Sequence, residues 1–381
     1  MEGILEKVSR IAREVVMQEG ELADRNGVWL SQTMQALKEE KITGLVVPKE
    51  HGGLGLGLLA MVKTSEQLGK AYSSAGLCFG MHCVGTAVIA AKATKWQKAN
   101  YLEPIAKGEH ITTLALSEPG TGAHFYFPQT TLSLKDDSAL INGAKTFVTN
   151  GFHADSYVVS TATAEKNTNQ EQFSCVIVDK GTAGMEWGKE WEGMGMRGNS
   201  SRPLSLHNVL VNSKNILGEK GDQLWYVFNV VAPYFLMAMA GTYLGVADAA
   251  FQEARNSVKN RNYSHSGTSL AHVQLIQHRL GGLWHKLEST RSMIYNAAAL
   301  GDMGDERALQ HILSAKIVAA EAAVNIANEA MTLAGGIGYQ NNSRLAMLLR
   351  DARAAHVMAP TTDILQTWIG RILLDQPILS D

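Results

Sequence analysis

Cysteine is scarce in this 381-residue sequence: Cys78, Cys83 and Cys175 are odd in number, and none falls in a CxxC pair of the kind that builds a zinc or redox site. That usage predicts a reducing, cytoplasmic setting. A basic excess is missing too, with 34 Lys plus Arg against 36 Asp plus Glu. The chain therefore lacks the surplus cations that neutralise phosphates or hold a protein to an anionic membrane, so no nucleic-acid or membrane partner is expected. No stretch reads as a membrane span. The most apolar one, residues 227–246, contains Asn229 and Pro233 and runs into charged sequence, so a buried core helix is expected there. The twelve histidines form no HExxH and no close cluster with Asp or Glu, and no GxSxG occurs. Neither a metal centre nor a serine-hydrolase elbow is predicted.

What is present is ample apolar material, 45% of the residues, enough for two or three packed units. Residues 1–20 carry Ile4, Leu5, Val8, Ile11, Val15 and Val16 at helical spacing among charges, which predicts a first helix rather than a secretion signal. Helical periodicity continues through an N-terminal domain, residues 1–112, broken at 47–55, where Pro48, Gly52, Gly53 and Gly55 forbid a continuous helix. The texture then changes to short β-branched runs at 111–116, 130–134, 139–148, 156–160, 173–178 and 204–211, separated by turn signals such as Asn150-Gly151 and the polar run 165–172. A small antiparallel β domain over 113–222 is expected. Beyond Gly221, long helical patterns at 224–259, 270–300 and 307–333, with a shorter one at 361–374, predict a four-helix bundle over 223–381.

Gly193-Met194-Gly195-Met196-Arg197-Gly198 satisfies GxGxxG, but no hydrophobic strand precedes it and no helix pattern follows, so a dinucleotide fold is not expected. More telling is Leu116-Ser117-Glu118-Pro119-Gly120-Thr121-Gly122-Ala123-His124, a Gly-rich turn closing the first strand. By itself it either cradles a polar ligand or merely turns the chain. A second polar cluster, residues 142–151, ends another strand of the same domain, so Ser117 and Thr149 can line one edge of a flat heteroaromatic ring.

In that order and domain, these two segments resemble the TEPxAGSD and NGxKxxITNG patterns of the acyl-CoA dehydrogenase family. Further segments fit the same resemblance: the turn at 47–55, Met194 to Gly198 with the strand after it, Gly335-Gly336-Ile337-Gly338-Tyr339, and Arg350-Asp351-Ala352-Arg353. The resemblance implies an α+β subunit with helical, β and helical-bundle domains, and an FAD cofactor. Leu116, Ser117, Gly122, Phe147, Val148 and Thr149 would contact the flavin, with Phe147 to Thr149 covering one face. Arg261, sixteen residues beyond Gly245, would reach the diphosphate of a neighbouring subunit's FAD, a contact suited to a bidentate guanidinium. Gln274, Thr361 and Asp363 match positions near the cofactor, and Gly335 and Gly336 would admit its adenine half. Such sharing implies a homo-oligomer, a dimer or tetramer.

The family's base for the α-proton is a glutamate, either nine residues after the arginine of RDAR or about ten before the helix glycine. Those positions hold Ala359 and Phe235. Replacement bases nearest in sequence are Asp363 and His356, with His124 from the flavin turn. Pro233 and Leu236 likewise stand where an acidic residue and an arginine are usual. Three readings follow: a dehydrogenase acting on an acyl thioester of coenzyme A or a carrier protein, a flavin monooxygenase on the same fold, and a non-catalytic flavin-binding subunit. Its electron acceptor would be an electron-transfer flavoprotein or oxygen.

Overall fold

A computed structural model describes residues 1–122, 124–163, 173–219 and 222–379; Ala123, the polar run 165–172 and Gly221 lie outside the described residues. The N-terminal helices are α1 (Glu2–Ile11), α2 (Met17–Asn26), α3 (Ser31–Glu39), α4 (Leu58–Ala71), α5 (Ser73–Ala91), α6 (Lys95–Gln97) and α7 (Glu103–Lys107). Between α3 and α4 the chain turns at Gly52 (φ +80°) and Gly55 (φ +57°), backbone conformations that glycine adopts without the Cβ penalty.

Strands then take over: β1 (Thr112–Ala115), β2 (Thr131–Lys135), β3 (Ser138–Val148), β4 (Ser156–Thr163), β5 (Phe173–Asp179), β6 (Met185–Trp187), β7 (Arg202–Asn212) and β8 (Ile216–Leu217). They form one sheet in the order β6-β7-β3-β2-β4-β5-β8, with β1 paired to β4. The sheet is mixed rather than purely antiparallel, because β1 and β2 both run parallel to β4. The long excursion between β1 and β4 supplies the crossover that a parallel pair needs and a tight hairpin cannot.

Among the described residues six α-helices follow: α8 (Gln223–Tyr226), α9 (Ala232–Asn260), α10 (Gln274–Met303), α11 (Ala308–Ala334), α12 (Arg344–Val357) and α13 (Thr362–Leu373). By length and composition, two helical stretches are apolar enough to cross a membrane, Ser73–Ala91 and Val227–Asn260, contrary to the sequence reading. Both are core elements, with 89% and 83% of their most apolar windows buried inside the protein. α9 packs closely on α4, and small residues make that possible. A Cβ on Gly245 would meet the Glu66 carbonyl oxygen at 2.2 Å, and one on Gly241 the Val62 carbonyl oxygen at 2.5 Å. The sheet, α5 and the helix ends of the bundle thus converge on one space.

Candidate functional site

The turn that closes β1 is held from beneath by a buried ion pair. Lys145 on β3 donates from Nζ to Glu118 at 2.5 Å, to the Ser160 carbonyl at 2.6 Å and to Ser160 Oγ at 2.9 Å. Glu118 accepts in turn from the amides of Gln129 at 2.6 Å and Thr130 at 3.1 Å. Burial pushes the Lys145 ammonium down to about 8 against the pull of Glu118. Burial alone would raise the Glu118 carboxyl, but Lys145 and the surrounding donors hold it below the usual carboxylate range. Two charges out of water persist only when paired and hydrogen-bonded in this way. A backbone bond from the Thr146 amide to the Ser117 carbonyl, 2.7 Å, ties the same turn to β3.

Near its end β3 slips register against β7 between Lys145 and Val148. Within that bulge Phe147 adopts φ +51°, a left-handed conformation costing a non-glycine residue about 1–2 kcal/mol. Bulges re-aim side chains beside functional sites. Here the Phe147 ring leaves the sheet, 57% exposed, and meets Trp191 edge-on at 5.6 Å. Val148 turns the other way into the core, while Thr149 stays beside the opening with Oγ1 3.4 Å from Ser201 Oγ.

Ser117, Phe147 and Thr149 form one wall of a cavity of about 560 Å³ at the junction of the three parts of the chain. That volume is in the range of small-molecule sites. α5 contributes Leu77 and Met81, the start of α9 contributes Ala232 and Phe235, and the segment from Ala354 through Ala359 to Thr361 closes the far side. Leu116, Gly122 and Thr361, all named from sequence, also line it. Thr361 Oγ1 caps α13, accepting from the Ile364 amide at 3.5 Å.

The GxGxxG run serves packing. A Cβ on Gly195 would lie 2.6 Å from the Arg350 backbone, so this loop rests directly on α12. Arg350 pairs with Asp24 at 2.6 Å and donates to the Met194 carbonyl at 2.8 Å. Asp351, buried and pushed up to about 6 by desolvation, accepts from Ser73 Oγ at 2.5 Å and the Met196 amide at 2.6 Å. Arginine and aspartate of this motif therefore tie three segments together beside the cavity.

Ala359 and Phe235, the positions at which the resemblance expects a base, both face the cavity as apolar walls. Among the described lining residues Glu118 is the one ionisable side chain, and Lys145 engages it. None of the replacement candidates lines the space. His124 is an exposed turn residue with Nδ1 2.8 Å from the Tyr126 hydroxyl. His356 sits on α12 with a buried Nδ1 lacking a hydrogen-bond partner, and burial lowers its pKa. Asp363 is exposed on the first turn of α13.

A second group of predicted residues gathers elsewhere. Arg261 Nη1 donates to the Ala334 carbonyl at 3.2 Å and lies 3.1 Å from where a Gly335 Cβ would stand. Gly336 and Gln274 are exposed, the latter opening α10. None of these four lines the cavity. Sequence reasoning missed the Lys145–Glu118 pair, whose members are 27 residues apart, and the wall formed by Trp191, Asn199 and Ser201. No local spacing signals either, since both arise from strand register and loop packing.

The donor set suits a flavin ring: hydroxyls and strand-end amides on one edge, aromatic and aliphatic surface elsewhere. Gly122 (φ +53°) has no atom within 4 Å of a built Cβ, leaving the turn's backbone open to a ligand. Among the described residues no cluster of His, Cys, Asp and Glu could hold a metal ion.

Comparison with known proteins agrees along the chain. Residues 2–109 match the acyl-CoA dehydrogenase N-terminal domain, 113–209 its middle domain and 233–374 its C-terminal domain. A 3-(aryl)acrylate reductase of Clostridium sporogenes is 30% identical over 375 residues, covering 97% of this chain and 98% of that protein. The mitochondrial isovaleryl-CoA dehydrogenase of Oryza sativa is 31% identical, covering 87% and 80% respectively. The structure of butyryl-CoA dehydrogenase from Megasphaera elsdenii superposes with a TM-score of 0.92 at 25% identity, over 98% of this chain and 97% of that one.

Proposed function

This chain belongs to the acyl-CoA dehydrogenase family, and from that premise we propose that it binds FAD and oxidises or reduces an acyl thioester, carried on coenzyme A or a carrier protein, in a remodelled pocket. The protein is a flavoprotein oxidoreductase. One observation carries the finer reading: Ser117, Phe147 and Thr149 converge on a cavity whose opposite wall holds Ala359 and Thr361. These residues would hold an FAD, which when bound would supply hydride transfer to or from the substrate's β-carbon; with no unpaired ionisable side chain among the described lining residues, the α-proton would exchange with solvent.

The residues of this chain would divide the remaining work. Ser117 and Thr149 hydrogen-bond the ring edge, the Lys145–Glu118 pair keeps their turn in register, and Phe147 shields a face. Leu77, Met81, Phe235 and Ala359 exclude water from the acyl chain. Because the only ionisable lining group among the described residues is already paired, the acyl tail should be uncharged: a free carboxylate or ammonium would be buried without a partner, at a cost of several kcal/mol. The three relatives named above are two acyl-CoA dehydrogenases and a 3-(aryl)acrylate reductase, which supports redox chemistry over the monooxygenase reading, with the two dehydrogenases supporting a thioester substrate.

Arg261 beside Gly335, together with the exposed Leu275 and Trp284 of α10, supports a dimer or tetramer in which one subunit completes its neighbour's cofactor site. An electron-transfer flavoprotein or oxygen would take the electrons. Three buried, unpaired cysteines fit a cytoplasmic location.

The test is anaerobic mixing of the flavin-loaded protein with short, long, branched and aryl-substituted acyl thioesters. Bleaching of the oxidised flavin is expected with at least one uncharged acyl chain. No bleaching across the panel, and no reoxidation of chemically reduced protein by the matching 2-enoyl thioesters, would remove the reading.

A further inference from the structure

Lys316, in the first third of α11, is completely buried. Its partners are three backbone carbonyls: Nζ donates to Ala355 at 2.7 Å, Pro360 at 2.9 Å and Met358 at 3.3 Å. An ammonium has three protons to give, so the set is complete. Ala355 lies in the last turn of α12, Met358 caps that helix, and Pro360 sits in the link to α13. Helix-end carbonyls lack intrahelical partners and carry the negative end of the helix dipole, so a cation there is favourable. Desolvation nevertheless pushes this ammonium down to about 8. An ordinary helix contact would use an apolar side chain; a buried lysine is worth its desolvation only where something must be held.

What it holds is a cavity wall. Ala354, Val357, Met358, Ala359, Pro360 and Thr361 all line the cavity, and the three bonded carbonyls belong to, or directly adjoin, that run. The opposite wall, Ser117 and Thr149, is fixed by its own buried lysine, Lys145.

We propose that Lys316 is a positioning residue: its ammonium pins the 358–361 segment to α11, and through Ala359 and Thr361 sets the distance between the acyl chain, the flavin and the strand-end hydroxyls. This deepens the functional reading above and rests on it. The residue touches neither substrate nor cofactor and acts only through the wall.

Lys316→Met removes all three donors at similar length, and Lys316→Arg keeps the charge. Leu313→Ala, a buried position on the same helix that does not line the cavity, serves as a control lowered in stability by cavity formation. Flavin affinity by fluorescence titration, kcat and KM, and melting temperature are measured for each. Lys316→Met is expected to bind flavin about 10-fold more weakly and to lose about 10- to 100-fold in kcat, with a smaller change in KM, as a wall displaced by a fraction of an ångström would cause. Arginine should recover part of both, and Leu313→Ala should melt earlier with flavin affinity and kcat intact. Should Lys316→Met fail to fold, Lys316→Gln, which retains donors, decides by the same readouts. Variants that melt earlier yet match the wild type in flavin affinity and kcat overturn the proposal, whereas wild-type protein that takes up no flavin overturns the functional reading instead.

Discussion

Lys145 and Glu118 meet at 2.5 Å beneath the turn that opens the cavity, with side-chain exposures of 0% and 2%. They are far apart in sequence and on different segments. The pair therefore locks the end of β1 to β3 at the place where Ser117 must face Thr149.

Removing one partner should leave an uncompensated buried charge. Glu118→Gln or Lys145→Met is expected to cost about 3–5 kcal/mol in urea denaturation and to abolish flavin retention. The double variant should cost less than the sum, because each partner's loss is harmful mainly through the other. Glu118 is held below the usual carboxylate range, so its contribution is present above the ordinary carboxylate pKa and lost as pH falls through its folded value. Flavin should accordingly leave the wild type on acidification. Single variants within about 1 kcal/mol of wild type would show the pair to be dispensable.

Placing a carboxylate at the vacant seat is a direct probe of the channel. Ala359→Glu projects into the cavity from the 358–361 wall, and should speed flavin reduction by acyl thioesters about 100-fold or more, the usual contribution of a positioned base. Rapid anaerobic mixing checks this. An unchanged rate would mean that the thioester is not presented to that wall.

Arg261 donates to the Ala334 carbonyl but is exposed as a residue. Arg261→Gln is expected to leave the melting temperature of the flavin-free subunit within a few degrees of wild type, since an exposed substitution moves stability by about 0.5 kcal/mol or less. It should weaken FAD binding markedly and FMN binding little, because the contact proposed for Arg261 is to the diphosphate, which FMN lacks. Equal weakening of both would place the arginine's effect elsewhere.

His82 is buried, with Nε2 2.9 Å from the Thr43 carbonyl and Nδ1 3.2 Å from the Thr112 amide nitrogen, an arrangement suited to the neutral ring. Desolvation lowers it from 6.5 to about 4. Between those values the unfolded chain takes up a proton that the folded protein refuses, so stability is lost as pH falls from about 6.5 towards 4. His82→Asn should be less stable at pH 7 by about 1–3 kcal/mol, yet show a shallower acid slope. Calorimetry across that range distinguishes the two. A parallel slope in the variant would rule out His82 as the source.

Much of the architecture could be read from period and punctuation. The long helices of the bundle follow from apolar residues at helical spacing, and the strand texture begins where 111–116 shows it, with β1 at Thr112–Ala115. Ser117 and Thr149 were legible because each ends a strand in a polar cluster. Phe147 was legible as a residue but not in its pose, since a left-handed backbone inside a bulge has no sequence mark. The parallel pairing of β1 with β4 was illegible for the same reason: strand direction is decided by what the crossover must pass.

By itself, then, the order of residues determined the elements, their grouping into helical, β and helical parts, and the identities at the positions where the resemblance expects a base, Ala359 and Phe235. Only the tertiary structure decided that these two face the same cavity as Ser117 and Thr149, that His124, His356 and Asp363 do not line it, and that two buried lysines brace opposite walls. The physical reason is that hydrophobic period and turn chemistry act over a few residues, whereas burial of a charge, closure of a cavity and the meeting of Lys145 with Glu118 depend on which distant segments exclude water together.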